Sequence, residues 1–431
     1  MRRHPREARG LDRREFLRRS AAATLGLSGA GALLAACGGD DATGLAGDTN
    51  RAGDTVTPED SPFQLARRDN PVTLPLFDDN PPIESGLQPE SGATLKIYNY
   101  IDYLWKRKVN EFAEQFDCKV EISTFTTMDE AVAKLASGEA EFDVFFATVD
   151  RLGKLVAGKI LQPLNLEYIP NLQGNIWPQL VDPFYDKGAQ YTVPYVVWAD
   201  GIGYRTDKVT EDIASLPNPY EIFWDGGYTG KTFLLDDYRD AIGMVLLRNG
   251  GTDVNTGDAA QLEQARADLI DLIDLVNIKV SAEDYSKVPE GAAWIHQSWS
   301  GSMIAAPYYL PQGVDASAIG FWYPETGTGV VGNDTMTVLR GADNPVLAHQ
   351  FLNFMLDEKN AYENFYNYVG YQPPLNNVTP ESLVADEAIP EHLASAVVAK
   401  EDYDRSQELL ELAPDVDILW QNIWAEFKSG V

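Results

Sequence analysis

Between Ala93 and Gly158 the sequence changes period repeatedly, and this alternation limits the fold more than any other feature. Leu95, Ile97 and Asn99 alternate with Lys96 and Tyr98, so Ala93–Asn99 predicts a strand. Val109, Phe112 and Phe116, spaced by three and four, predict a helix over Lys106–Phe116. Cys118–Phe125 alternates again, and Asp129–Ser137 has helical spacing (Ala131, Val132, Leu135) and stops at Gly138. Phe142–Ala147 reads as a short buried strand and Asp150–Ala157 as a helix ended by Gly158. A β-α-β-α-β-α series predicts a parallel, doubly wound α/β lobe.

Open α/β sheets bind ligands beyond the carboxyl ends of their strands. The stretch LKIYNYIDYL (Leu95–Leu104) ends in such a place, with Tyr98, Tyr100, Asp102 and Tyr103. The plainer reading is a core strand whose tyrosines pack. Further on, Gln190–Val197 and Ile202–Arg205 read as two strands around Trp198–Gly201. Lys231–Leu235 runs into Asp236-Asp237-Tyr238-Arg239-Asp240, and Ala292–Gln297 into Ser298-Trp299-Ser300-Gly301-Ser302. A Gly-rich crossing, Gly327–Gly332, leads to Asp334-Thr335, which opens the strand Met336–Leu339. Helical spacing over Pro345–Leu356, Lys359–Val369, His392–Ala399 and Asp415–Ser429 closes the chain.

The first 36 residues read as an address rather than as part of the fold. Arg13-Arg14-Glu15-Phe16-Leu17-Arg18 looks like a twin-arginine export signal. The apolar run Ala21–Ala36 is short and rich in Ala and Gly, against the roughly 20 strongly apolar residues a membrane span needs. Leu34-Ala35-Ala36-Cys37-Gly38 resembles a lipoprotein box, with cleavage before Cys37 and lipid on its thiol, hence a membrane anchor outside the cytoplasm. Residues 37–92, dominated by Asp, Gly, Thr, Pro, Asn and Ser, read as a flexible tether, with docking of Pro71–Leu76 left open.

The net charge of −31 excludes ordinary nucleic-acid binding, which needs the opposite sign, and favours a cationic ligand. An acidic surface that serves only solubility gives the same total. With Cys37 expected to carry lipid, Cys118 has no disulfide partner, and no zinc spacing appears among the four histidines. Gly230-Lys231-Thr232 mimics the end of a phosphate loop, but that loop needs Gly where Asp225 stands. Hydrolase, zincin and EF-hand motifs are absent, so no cofactor or metal is expected and the chain does not read as an enzyme.

Seven stretches then resemble one family in order: TLKIYNYIDYL, FDVFFATVDRLGKLVAGKILQPLN, VPYVVWADGIGYRTDKV, YTGKTFLLDDYRDAIGMVLLRNG, WSGS, GVVGNDTMTVLRGADNPVLAHQFLNFML and VGYQPPLNN. They resemble the spermidine/putrescine-binding proteins of ABC importers, across residues 93–431. The resemblance implies a type II periplasmic-binding-protein fold, two doubly wound α/β lobes joined by a hinge of crossing strands. Residues 93–201 and 334–378 would form one lobe, and residues 202–333 and 379–431 the other. It also implies a polyamine ligand, a permease with its ATPase as partners, and a monomer. The rivals are the same role for another organic cation or an anion, an exported enzyme, or a surface adhesin.

Carried over position by position, the resemblance makes Tyr100 and Tyr103 aromatic walls, Asp102 an acidic contact and Thr148 a hydroxyl contact. Asp237 becomes the main carboxylate for an amine, Asp240 a nearby acid, Trp299 a stacking ring, and Asp334 the acid after the return crossing. Asp236-Asp237 equally suits a helix N-cap. At Gly332 the family often has Trp, so one wall is missing, with Trp198, Tyr308 and Trp322 as candidates to replace it.

Overall fold

The computed structural model describes residues 63–138, 141–324 and 329–431; the signal, Cys37 and the tether up to residue 62 lie outside them. The predicted alternation holds: β1 (Thr94–Tyr100), α1 (Lys106–Gln115), β2 (Lys119–Phe125), α2 (Met128–Ser137) and β3 (Val144–Thr148) follow in order. β1 pairs in parallel with both β2 and β3. The apolar face of α1 buries Val109 and Phe112, whose ring meets Phe351 and Phe354 edge-on. Thr127 caps α2 by accepting from Glu130 N, and Gly138 ends it at φ 67°.

After the short β4 (Leu161–Gln162), the chain enters a long strand, β5 (Val193–Arg205). The sequence reads as two strands here, but the backbone runs unbroken through Trp198–Gly201. Gly201 permits this because a Cβ there would lie 2.3 Å from the Trp322 carbonyl oxygen. The second half adds β6 (Thr232–Leu234), α3 (Tyr238–Arg248), α4 (Ala259–Val276), β7 (Lys279–Val280), β8 (Ile295–Trp299), α5 (Ser300–Ala305) and β9 (Ile319–Trp322). The return strand β10 spans Val330–Leu339, so it begins earlier than predicted and Asp334 stands inside it. Then come α6 (Pro345–Leu356), β11 (Gln407–Glu408) and α7 (Pro414–Lys428).

Among the described residues, eleven strands form one mixed sheet; eight run in the order β2-β1-β3-β10-β5-β8-β6-β7, β4 and β11 pair with β10, and β9 pairs with β5. β5 joins its two halves: Val193–Asp200 pair with β10, and Asp200–Arg205 with β8 and β9. Parallel strands flank this antiparallel centre on both sides, β1 with β2 and β3, and β6 with β7 and β8. Two long strands thus cross between two α/β halves.

The tether reading fails for its described part, residues 63–92. Leu65 is buried in the cluster around α3, α4 and α7, while Val72 and Leu74 are buried against β3 and its neighbours. Polar bonds fasten the strap: Val72 N donates to Phe184 O at 2.7 Å, Tyr191 OH to Pro75 O at 2.6 Å, and Asn80 Nδ2 to Leu161 O at 2.8 Å. Arg68 donates to Glu408 Oε1 at 2.7 Å and Tyr403 O at 2.9 Å. A segment with few apolar residues docks because those few insert singly and its backbone groups find partners.

The halves also meet at a charged seam. Arg151, after β3, pairs with Asp150 at 2.5 Å and Asp129 at 3.1 Å, and donates to Tyr238 OH at 2.8 Å. Lys154 pairs with Asp417, which also accepts from Tyr238 OH. The Glu411 carboxylate accepts from Gly153 N at 2.6 Å and Lys154 N at 2.9 Å.

Candidate functional site

Five chain segments, four strand ends and the middle of one strand, converge between the halves. β1 ends at Tyr100 and turns through Ile101–Tyr103, with Asp102 at φ 58°, a left-handed conformation Asp tolerates better than most residues. β3 ends at Thr148, β6 leads through Asp236-Asp237 into α3, and β8 delivers Trp299 to the start of α5. β10 contributes Asp334. All eight residues expected at the site, Tyr100, Asp102, Tyr103, Thr148, Asp237, Asp240, Trp299 and Asp334, line one cavity of about 180 Å³.

The lining contains six carboxylates (Asp102, Asp236, Asp237, Asp240, Glu283, Asp334) and, among the described residues, no Lys, Arg or His. Aromatic rings make up much of the remainder. Tyr103 meets Tyr100 and Tyr371 edge-on, each with ring centres 5.4 Å apart. Tyr371, Tyr285 and Tyr309 also line the cavity, and the sequence reading missed all three. The motif WSGS explains Tyr371: a Cβ on Gly301 would fall 2.3 Å from its ring, and Ser302 Oγ lies 2.9 Å from its hydroxyl. The segment VGYQPPLNN therefore packs on WSGS, a pairing only the tertiary fold makes visible.

The acids differ in how they are held. Asp237 both lines the cavity and caps α3, accepting from Arg239 N at 2.8 Å and Asp240 N at 3.4 Å. Asp334 accepts from Tyr103 OH at 2.5 Å and from Trp198 Nε1 at 3.0 Å, so it fixes two aromatic walls. Asp102 Oδ1 accepts from Tyr368 OH at 2.8 Å. Asp102 Oδ2, Asp240 Oδ1 and Thr148 Oγ1 are buried without a hydrogen-bond partner. Buried polar atoms are rarely left unpaired, and a cluster of them in a cavity points to a ligand that supplies donors.

Burial and the nearby Asp150 push Asp237 up to about 6, opposed by Arg151. Burial likewise raises Asp334 to about 6 against the bonds from Tyr103 and Trp198. Asp240 rises well above the usual carboxylate range through burial and Asp237, and the Trp299 side chain bonds it in partial compensation. Burial raises the Tyr100 and Tyr103 hydroxyls, which remain neutral near pH 7.

At Gly332 a ring from the adjacent strand covers the backbone. Trp198 faces Gly332 across the β5–β10 pair, and a Cβ at 332 would lie 2.3 Å from its ring. Trp322 instead packs edge-on against Tyr220, and neither it nor Tyr308 lines the cavity.

Residues 108–391 match the family described as bacterial extracellular solute-binding protein. The chain belongs to that family. This solute-binding protein is 27% identical over 304 residues to spermidine/putrescine-binding periplasmic protein 1 of Haemophilus influenzae, covering 69% of this chain and 80% of that one. It is 25% identical over 291 residues to the putrescine/cadaverine-binding protein of Pseudomonas aeruginosa, covering 67% and 81%. Its fold matches the solved spermidine/putrescine transporter substrate-binding protein of Streptococcus pneumoniae with a TM-score of 0.63, at 23% identity over 78% of this chain and 99% of that one. The PotD lipoprotein of Treponema pallidum gives 0.64 at 21% identity, with coverage of 78% and 99%. The type II periplasmic-binding-protein fold expected from the sequence is thus the observed one.

Proposed function

We propose that the chain captures a polyamine of the putrescine or spermidine type between its halves and delivers it to an ABC permease driven by its ATPase. The carrying observation is the lining itself, six carboxylates with no basic residue, faced by aromatic rings. Carboxylates stabilise the ammonium groups, which are prohibitive to bury alone. Ring faces cover the methylenes and attract the cations by about 0.5–2 kcal/mol each. The named relatives bind polyamines, which supports the same ligand class.

The reading includes export by the twin-arginine route and a lipid on Cys37 that keeps the monomeric body outside the cytoplasmic membrane, on the strength of Arg13-Arg14 and Leu34–Gly38. The role is binding rather than catalysis. Isothermal titration of the chain downstream of Cys37 with putrescine, spermidine and spermine, beside an amino acid and a sugar, tests it. Micromolar or tighter binding of one polyamine is expected; no binding of any of the three sinks the ligand class. Including residues 63–92 matters, because they are part of the packed body.

A further inference from the structure

Behind the cleft stands a buried acid that the binding role described so far does not use. One helical turn, Asp284–Lys287, follows Ala282 and Glu283. Ala282, Glu283 and Tyr285 line the cleft, and the Tyr285 ring meets that of Tyr309 with centres 5.1 Å apart. Asp284 sits in the same stretch but does not line the cleft, and it is fully buried.

β8 pairs with β6 only at Ile295 and His296, so Trp299 lies beyond that pairing, where the chain passes from strand into α5. Its backbone N donates to Asp284 Oδ2 at 3.1 Å. The indole of the same residue bonds Asp240, so Trp299 is gripped at both ends. Burial pushes the Asp284 carboxyl up to about 7, opposed by hydrogen bonds from Ser302, the Tyr285 and Trp299 backbone and Ser298 rather than by a cation. A carboxylate buried without a cation costs stability, and an apolar residue in its place would leave Trp299 N unpaired.

We infer that Asp284 is a positioning residue for ligand binding: it does not touch the ligand, and it fixes the backbone from which the Trp299 ring reaches the bound cation. The inference rests on the polyamine reading above and on Trp299 as a ring of that site. The same carboxylate joins the wall formed by residues 282–285 to the end of β8, so it sets the spacing between two sides of the cleft. A ring attracts a cation only when its face meets the charge within about 6 Å of the ring centre. A displaced Trp299 therefore loses affinity without leaving the cleft.

A double-mutant cycle tests this, titrated with whichever of putrescine, spermidine and spermine the wild type binds most tightly. Asp284→Ala is expected to weaken binding about fivefold in the wild-type background and under about twofold when Trp299→Ala is already present. Asp284→Asn, which keeps an oxygen for Trp299 N, should bind within about twofold of the wild type. Losses that multiply in the double variant mean that Asp284 does not act through Trp299, and overturn the inference. So does an Asp284→Asn that binds as weakly as Asp284→Ala, because the charge and not the bond is then at work. A lowered melting temperature with unchanged affinity in Asp284→Ala makes the acid a part of the fold alone and overturns it too. Should Asp284→Ala not fold, Asp284→Ser carries the same cycle. No binding of any of the three by the wild type overturns the polyamine reading and the inference together, whereas the other adverse outcomes leave that reading standing.

Discussion

In the cleft, Asp102, Asp237, Asp240 and Asp334 stand among aromatic rings with no salt bridge from a described residue. At the seam a few residues away, Asp150 and Asp417 are buried too, but Arg151 and Lys154 pair with them. The same side chain is thus used in two ways. Where the chain supplies its own cation, an acid holds the halves together. Where it withholds one, as for Asp237, Asp240 and Asp334, the acid keeps a raised pKa and an unspent affinity for a cation from outside.

Variants can break this contrast. The largest effect is expected at the seam: Arg151→Leu takes the close partner from buried Asp150, leaving it only Arg239 at 3.9 Å, and should cost about 3 kcal/mol in denaturant unfolding. A loss under about 1 kcal/mol would erase the distinction between the regions. Next, Asp237→Asn keeps the helix cap, since Asn caps as well as Asp, so stability should hold while polyamine affinity falls about 10- to 100-fold. Trp299→Ala removes a ring and the bond to Asp240 and should weaken binding about tenfold, read by titration. If both cleft variants bind as the wild type does, the site assignment is wrong.

Protonation separates Asp417 of the seam by sign from the cleft acids Asp237 and Asp334. Asp237 and Asp334 rise from 3.8 to about 6, so the native state holds more protons than the unfolded chain between about pH 4 and 6. Their contribution to ligand-free stability therefore falls as pH rises through that window, and Glu411, raised to about 8 by burial, extends the slope upward. Asp417 is lowered by Arg151 and Lys154, and its contribution is lost as pH falls through its folded value. Polyamine affinity should drop between pH 7 and 5 while the ligand-free melting temperature rises; affinity flat over that range would remove the cleft acids from binding. The smallest effect is a surface control: Asp79→Ala breaks exposed pairs with Lys159 and Arg340 and should leave the denaturation midpoint nearly unchanged.

Much of the site was legible because its residues sit at strand ends, where period and composition change together. Asp237 follows the apolar run of β6, and Trp299 is the last residue of β8. Trp198 was harder, since its meaning depends on a cross-strand register with Gly332, 134 positions on, which no local pattern encodes. Tyr285, Tyr309 and Tyr371 enter from segments whose placement follows tertiary packing. β5 was split in the reading because Asp200-Gly201 looks like a turn, whereas Gly201 is there for close approach. Residues 63–92 were misjudged because composition weighs average apolarity, and docking needed only a few well-seated side chains.

That strap has a mechanical consequence. Near its first described residue, 63, the strap grips α3's cluster and the β11 region through Leu65 and Arg68, and further on it grips the surroundings of β3 through Val72 and Leu74. The mooring is therefore spread over both jaws of the trap. A force applied to the strap is shared between them instead of swinging one jaw about the other.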